Sequence, residues 1–199
     1  MRNKPARKLP DSAHYSQPWR IHEIAPEFRL EDVWALPAAG AREDFPRLIR
    51  LLSTPGTAES SSLLTRLLFA VRRVLGRWLR WDDAVGDTDA TSLRHRLPDD
   101  LRDRRSTAAD TGPFTTLYET DDEWAAELEN RTVHGVLHVG WVADGTGRYR
   151  GQLAVLVKPA GRLGTTYLIA IRPFRYAIVY PALLRNIDRK WRTDALGRP

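Results

Sequence analysis

The chain contains no cysteine. That excludes disulfides, thiolate catalysis and every zinc or iron–sulfur site built with cysteine. No apolar run approaches the ~20 residues of a membrane span, so no spanning helix is expected. The first eight residues hold no acid, while Arg2, Lys4, Arg7 and Lys8 give them four positive charges. No apolar stretch follows, so they do not read as a secretory signal, and a soluble cytoplasmic protein is expected. Motifs for nucleotide or hydrolase chemistry are missing too: there is no Walker A, no Gly-x-Ser-x-Gly and no His-Glu-x-x-His. Gly145-x-Gly147-x-x-x-Gly151 has neither the spacing nor the strand-to-helix setting of a dinucleotide loop. Neither a metal nor a cofactor is expected.

What is present suits one globular domain. The 199 residues are 42% hydrophobic and 28% charged, with seven tryptophans, enough to build a core. The net charge of +6 points toward nucleic acid, but four of those charges lie in the first eight residues. Arg66, Arg72, Arg73, Arg77 and Arg80 sit on a predicted helix and read as a solvated face. With no recognition motif and no interleaved aromatics, nucleic acid is not the expected partner. Residues 1–17 read as a basic flexible tail. Residues 18–199 read as a single domain with a polar, partly mobile excursion at 82–112, where Leu93, Leu97 and Leu101 permit one short helix.

The periodicity predicts the elements. Trp19 to Ile24 alternates as a strand does, and Phe28 to Leu36 reads as a second extended piece. Phe45, Leu48, Ile49 and Leu52 have helical spacing. Leu63 to Trp81 is the clearest helix, with an apolar stripe opposite its arginines. Phe114 to Glu119 is strand-like. Thr120 to Asn130 reads as a short helix with a capping box, Thr120-x-x-Glu123, although a strand is a close alternative. Val133 to Val142 alternates, with Leu137, Val139 and Trp141 on one face and His134, Val136 and His138 on the other. Asp144 to Gly147 is hairpin chemistry, Tyr149 to Lys158 the returning strand, and Gly164 to Arg172 a third strand of a meander. After Pro173 the period becomes 3.6, and Ala177, Tyr180, Leu184, Ile187 and Trp191 share a face. Pro181 must kink that helix or mark its true start. The prediction is an α+β fold: an antiparallel sheet, two short-to-medium helices, and a long C-terminal helix packed across it.

The candidate chemistry follows from this layout. His134 and His138 are spaced i, i+4, which on a helix makes a metal pair, but on a strand it separates them by about 13 Å. They remain acid–base candidates, with Glu127 among the acids placed to orient an imidazole. The bland alternatives are sheet histidines and a solvated acidic helix. Arg172 and Arg175 flank Pro173-Phe174 and can clamp a carboxylate or phosphate. With Trp141, Tyr167, Tyr180 and Leu184 they make the candidate lining of a cavity between meander and helix. The expected ligand is a small apolar or aromatic molecule.

The order of elements resembles the helix-grip fold of Bet v 1-like and START-like proteins. The residues carry a closer resemblance. Pro18-Trp-Arg-Ile-His22, Arg29-Leu-Glu-Asp-Val-Trp34, Asn130-Arg-Thr-Val-His-Gly135 with His138 and Trp141, Lys158-Pro159, and Arg172-Pro-Phe-Arg175 followed by Tyr180-Pro181 look like a bacterial family of uncharacterised proteins. Its domain is also met appended to NAD-binding, epimerase-like proteins. The resemblance covers roughly Pro18 to Trp191. It implies a helix-grip fold and an NAD-binding, oxidoreductase-like protein partner, and it carries over no catalytic residues. Two functions are expected from the layout: a carrier of a small molecule, or an enzyme of the polyketide cyclase or hydratase kind using His134 or His138 as acid–base.

Overall fold

A computed structural model describes residues 6–53, 92–102, 114–129, 133–159 and 161–196. The predicted helix at 63–81, its arginines, and most of the 82–112 excursion lie outside the described residues. Six strands form one antiparallel sheet in the order β1-β2-β6-β5-β4-β3. They are β1 (Arg7–Lys8), β2 (Arg29–Gly40), β3 (Thr115–Glu119), β4 (Glu123–Glu129), β5 (Val133–Ala143) and β6 (Tyr149–Pro159). The last four make a meander of successive antiparallel neighbours. β2 runs through Pro37 because the register shifts between Ala35 and Ala39, so the missing proline N–H breaks no regular ladder. The fold class is α+β, as the periodicity predicts.

Both faces of the sheet are covered. On one lie α3 (Phe45–Ser53) and the C-terminal helix. That helix comprises α5 (Gly161–Phe174), a π-helical stretch at Arg175–Val179, and α6 (Tyr180–Leu196). Their core holds Phe45, Leu48, Leu137, Val139, Trp141, Leu184, Ile187 and Trp191. Gly151 is required here, since a Cβ would meet Leu48 Cδ2 at 2.8 Å. On the other face lie α1 (Ser12–Tyr15), α2 (Ile21–Ile24), a 3-10 turn at Leu93–Arg96 and α4 (Asp99–Arg102). Their core holds Trp19, Ile21, Ile24, Val33, Leu93, Leu101, Tyr118, Val136 and Leu156.

Several expectations are corrected. Residues 6–17 are not a flexible tail. Lys8 pairs with Trp34 in the sheet, Leu9 N donates to Val33 O, and His14 is fully buried. Trp19 to Ile24 forms a turn and α2 rather than a strand, because Ile21 and Ile24, three apart, turn together into the core. Of the stretch at 120–130, Glu123–Glu129 is the strand β4, the alternative to the helix. The capping-box residues are in fact a hairpin turn, with Glu123 N donating to Thr120 Oγ1 at 3.1 Å and Thr120 N to Glu123 O at 2.8 Å. Glu123 and Glu127 are accordingly buried, not solvated. The third meander strand at 164–172 is α5, where Gly164, Leu168 and Ile171 recur at i, i+4 and i+7 and are buried. Tyr167 therefore lies in a helix and not on a strand. Leu93, Leu97 and Leu101 are all buried, Leu93 and Leu101 in two separate short turns and Leu97 between them.

In the C-terminal helix Pro181 is the second residue of α6. It has no N–H for the carbonyl of Ala177, and the π turn sits there, with Tyr180 N donating to Arg175 O. The wider turn rotates the apolar stripe. Tyr180, Leu184, Ile187 and Trp191 are buried as expected, but Ala177 is exposed and Arg175 is buried in its place.

Candidate functional site

Strand alternation sorts the candidate residues onto opposite faces. Trp141, Tyr180 and Leu184 lie in the core under the C-terminal helix. His134 and His138 are even-numbered on β5 and point away from that helix. They meet the N-terminal segment instead: His134 lies edge-on to Phe28 at 4.9 Å, and His138 lies 5.2 Å from the Trp19 ring. The predicted ligand residues and the predicted acid–base residues therefore do not share a cavity.

Under the helix, the polar centre is Asp32. It is fully buried, because the register shift between Leu30 and Asp32 turns it inward. Arg175 Nη2 and Tyr176 OH donate to it, and Tyr180 OH does so at 2.7 Å. Lys8 Nζ donates to Tyr176 OH and lies 3.7 Å from Asp32 Oδ1. Arg172 is exposed, with its guanidinium 5.9 Å from the Tyr176 ring centre. It does not join Arg175 in a clamp. Burial opposes the charge on Arg175, but Tyr180, Asp32 and Glu31 outweigh it and raise its pKa. Burial first, and then Asp32, push the Tyr180 hydroxyl well above 10.0. Trp34 stacks on Tyr180 at 4.8 Å. Three buried donors on this face find no acceptor among the described residues: Trp34 Nε1, Trp124 Nε1 and Arg175 Nε.

On the opposite face each strand histidine has its own carboxylate. His134 Nε2 lies 3.0 Å from Glu127 Oε2, and Glu127 also accepts from Leu93 N at 2.9 Å and from Ser92 Oγ. Burial works against the charge on Glu127, but the bonds from His134, Ser92 and Leu93 prevail and lower its pKa. This pair ties the 92–102 segment to the sheet. His138 Nε2 lies 2.9 Å from Glu123 Oε2, and Glu123 accepts from Arg20 N at 2.9 Å and from Tyr118 OH at 3.3 Å. His138 Nδ1 lies 3.2 Å from His14 Nε2, and His14 Nδ1 lies 3.1 Å from His22 Nε2. Trp19 covers this array, and it can do so because residue 140 is glycine: a Cβ there would lie 2.5 Å from the indole Cζ2.

The part played by His14, His22, Glu123 and Asp32 escaped the sequence reading. His14 and His138 are 124 residues apart, and no spacing rule links them. One signal was available for the carboxylates: period two places Glu123, Ala125 and Glu127 on a single strand face. Among the described residues no group of three His, Asp or Glu side chains is arranged to hold a metal ion, and no helix is long and apolar enough to cross a membrane.

No curated protein and no solved structure matches the chain. One family model does, over residues 24–182, a span that takes in Asp32, Glu123, Glu127, His134, His138, Arg175 and Tyr180 but neither His14 nor His22. By that match the chain belongs to the family described as protein of unknown function (DUF2867).

Proposed function

We propose that the chain is a ligand-binding protein of helix-grip type that holds a small apolar or aromatic molecule between the sheet and the C-terminal helix. The observation that carries this reading is the pair of buried donors beside the Asp32 centre that find no acceptor among the described residues, Trp34 Nε1 and Arg175 Nε; Trp124 Nε1 is a third on the same face, three strands away. A buried N–H left unpaired costs about 1–3 kcal/mol, and native folds rarely leave two at one buried centre without an oxygen to fill the role. The surrounding surface is aromatic and aliphatic, from Trp34, Tyr180, Leu184 and Trp141. An aromatic body with one oxygen acceptor fits that chemistry. In this reading the protein works in the cytoplasm, and an NAD-binding, oxidoreductase-like protein partner rests on the family resemblance alone.

The second reading, an enzyme of the polyketide cyclase or hydratase kind, is favoured by the two glutamate–histidine pairs. Its substrate would be met on the face away from the C-terminal helix.

The probe for the first reading is 8-anilinonaphthalene-1-sulfonate, an aromatic anion, titrated into protein whose near-ultraviolet circular dichroism is native. Saturable binding is expected. Trp34→Phe removes one orphan donor and should weaken binding roughly fivefold, the equivalent of about 1 kcal/mol. Leu184→Trp should abolish binding and leave the melting temperature near that of the parent. A parent that binds no probe, with a Leu184→Trp variant destabilised by the ~1–3 kcal/mol of an overpacked core, would mean that the space is filled and the reading is wrong.

A further inference from the structure

The other face of the sheet holds a second array that needs no ligand under the helix. Glu123, His138, His14 and His22 form an unbroken line of hydrogen bonds. With Glu123 ionised, it accepts from Arg20 N and His138 presents Nε2–H to it. The remaining nitrogen of His138 must then accept, which makes His14 an Nε2–H donor. By the same step His14 Nδ1 accepts from His22 Nε2–H. The three imidazoles hold one tautomer in series, and His22 keeps an Nδ1 lone pair for which no partner is present among the described residues. His138 and His14 are fully buried, whereas His22 is half-buried beside the exposed ring of Tyr15, 5.7 Å away.

We infer that His22 is a general base served by a proton relay through His14 and His138 to Glu123, acting on a small molecule that bears a weakly acidic O–H or a C–H next to a carbonyl or similar group. The substrate proton passes to His22 Nδ1, and its bonding electrons remain on the substrate. The Nε2 proton of His22 moves to His14 Nδ1, that of His14 to His138 Nδ1, and that of His138 to Glu123. The charge taken up at the surface ends as a neutral carboxylic acid, with each imidazole neutral in the opposite tautomer. Run backwards, the relay returns the proton to another atom of the substrate, which makes the reaction class a proton-transfer isomerisation or elimination.

A purely structural network would not need an open end at the surface. The surroundings also favour a base over an acid. Burial lowers the pKa of His22 and brings that of His14 down to about 3, so both imidazoles are neutral at pH 7. The other titratable groups around the line are Tyr15 on α1, Arg20 and Glu23 at α2, Tyr118 on β3 and Asp100 on α4, which Arg20 engages at 2.7 Å. Glu123 raises the affinity of His22 for a proton, against burial and His138, which lower it.

The test uses the full chain and 5-nitrobenzisoxazole, an aromatic probe. Loss of its C3 proton to a base forms a nitrile, breaks the N–O bond and releases a coloured phenolate. The parent should outpace an equal concentration of 4-methylimidazole by about 100-fold or more at pH 7. His22→Ala should remove the excess. Glu123→Gln should lower the rate roughly tenfold on the plateau above the inflection, where His22 is neutral in parent and variant alike; loss of the carboxylate charge by itself moves the inflection to lower pH but leaves that plateau unchanged. A His22→Ala variant as fast as the parent, or a folded Glu123→Gln variant with the parent's plateau rate, overturns the proposal. If Glu123→Gln fails to fold, the parent decides: scalar couplings across both N–H···N bonds of His14 are expected by nitrogen-15 NMR, and their absence would overturn it.

Discussion

Burial of His14 makes the protein acid-labile in a window where carboxylates do not titrate. The imidazole is 0% exposed, and its pKa falls from 6.5 to about 3, first by burial and then by repulsion from His138 and His22. The unfolded chain therefore binds a proton that the folded chain refuses. Stability is at its full value above about pH 7 and declines as pH falls below 6.5, a loss that continues until the folded value near 3 is reached. At pH 5 the gap is about 1.5 pH units, which at 1.36 kcal/mol per unit is a loss of about 2 kcal/mol. For a chain of this size that is a fall in Tm of about 4–8 °C. His22 adds in the same direction, since burial lowers its pKa too. Glu127 and Glu27 do not interfere. Glu127 is held below 4.5, and donated hydrogen bonds prevail over burial to bring Glu27 to about 2, so their stabilisation is lost only at lower pH. The assay is urea denaturation at pH 7, 6 and 5. His14→Leu should be less stable at pH 7, because His138 Nδ1 and His22 Nε2 lose their partner, yet its decline from pH 7 to 5 should be smaller by about 2 kcal/mol. A parent as stable at pH 5 as at pH 7 would refute the argument, and so would a His14→Leu variant with the parent's slope.

Two further outcomes are expected. Gly140→Ala places a Cβ 2.5 Å from Trp19 Cζ2, so the indole must leave the imidazoles it covers. Stability should fall by about 1–3 kcal/mol and tryptophan emission should move to the red, whereas a variant with unchanged emission and Tm would show that the close approach is not tight. Asp32→Asn removes the carboxylate from Arg175, Tyr176 and Tyr180 and leaves a buried guanidinium poorly paired. A loss of about 3–5 kcal/mol is expected in guanidinium denaturation, and a loss under 1 kcal/mol would argue that Arg175 reaches solvent.

The sequence is legible where one face of an element is buried and the other is not. α3 and α6 announce themselves by clean periodicity, and β5 and β6 by the hairpin turn between them at Asp144 to Gly147. β4 does not, because Trp124, Ala125 and Ala126 are consecutive and buried on both faces. The alternation is erased there, and Glu123 and Glu127 fall at a spacing that imitates a helix. α5 is disguised by its composition. Thr165, Thr166, Ile169 and Ile171 favour a strand, although Gly164, Leu168 and Ile171 already carry the helical interval. Charge and the prolines at 5 and 10 mark the N-terminus as a tail, and neither reveals that Lys8 has a buried acid to meet at Asp32.

The same parity argument separates the two candidate sites. His138 and Trp141 are three residues apart on one strand, and an odd offset in a period of two sends them to opposite faces. A sheet with one wet face would leave the histidines in solvent. Here residues 9–28 lie across that face, and two of the three relay imidazoles come from them. The family match begins at residue 24, beyond both His14 and His22. The Asp32 centre is thus built wholly from matched residues apart from Lys8, while the histidine line exists only where an N-terminal segment of this kind covers the sheet. A relative with Glu123 and His138 but without that segment would keep the carboxylate–imidazole pair and lose the route from it to the surface.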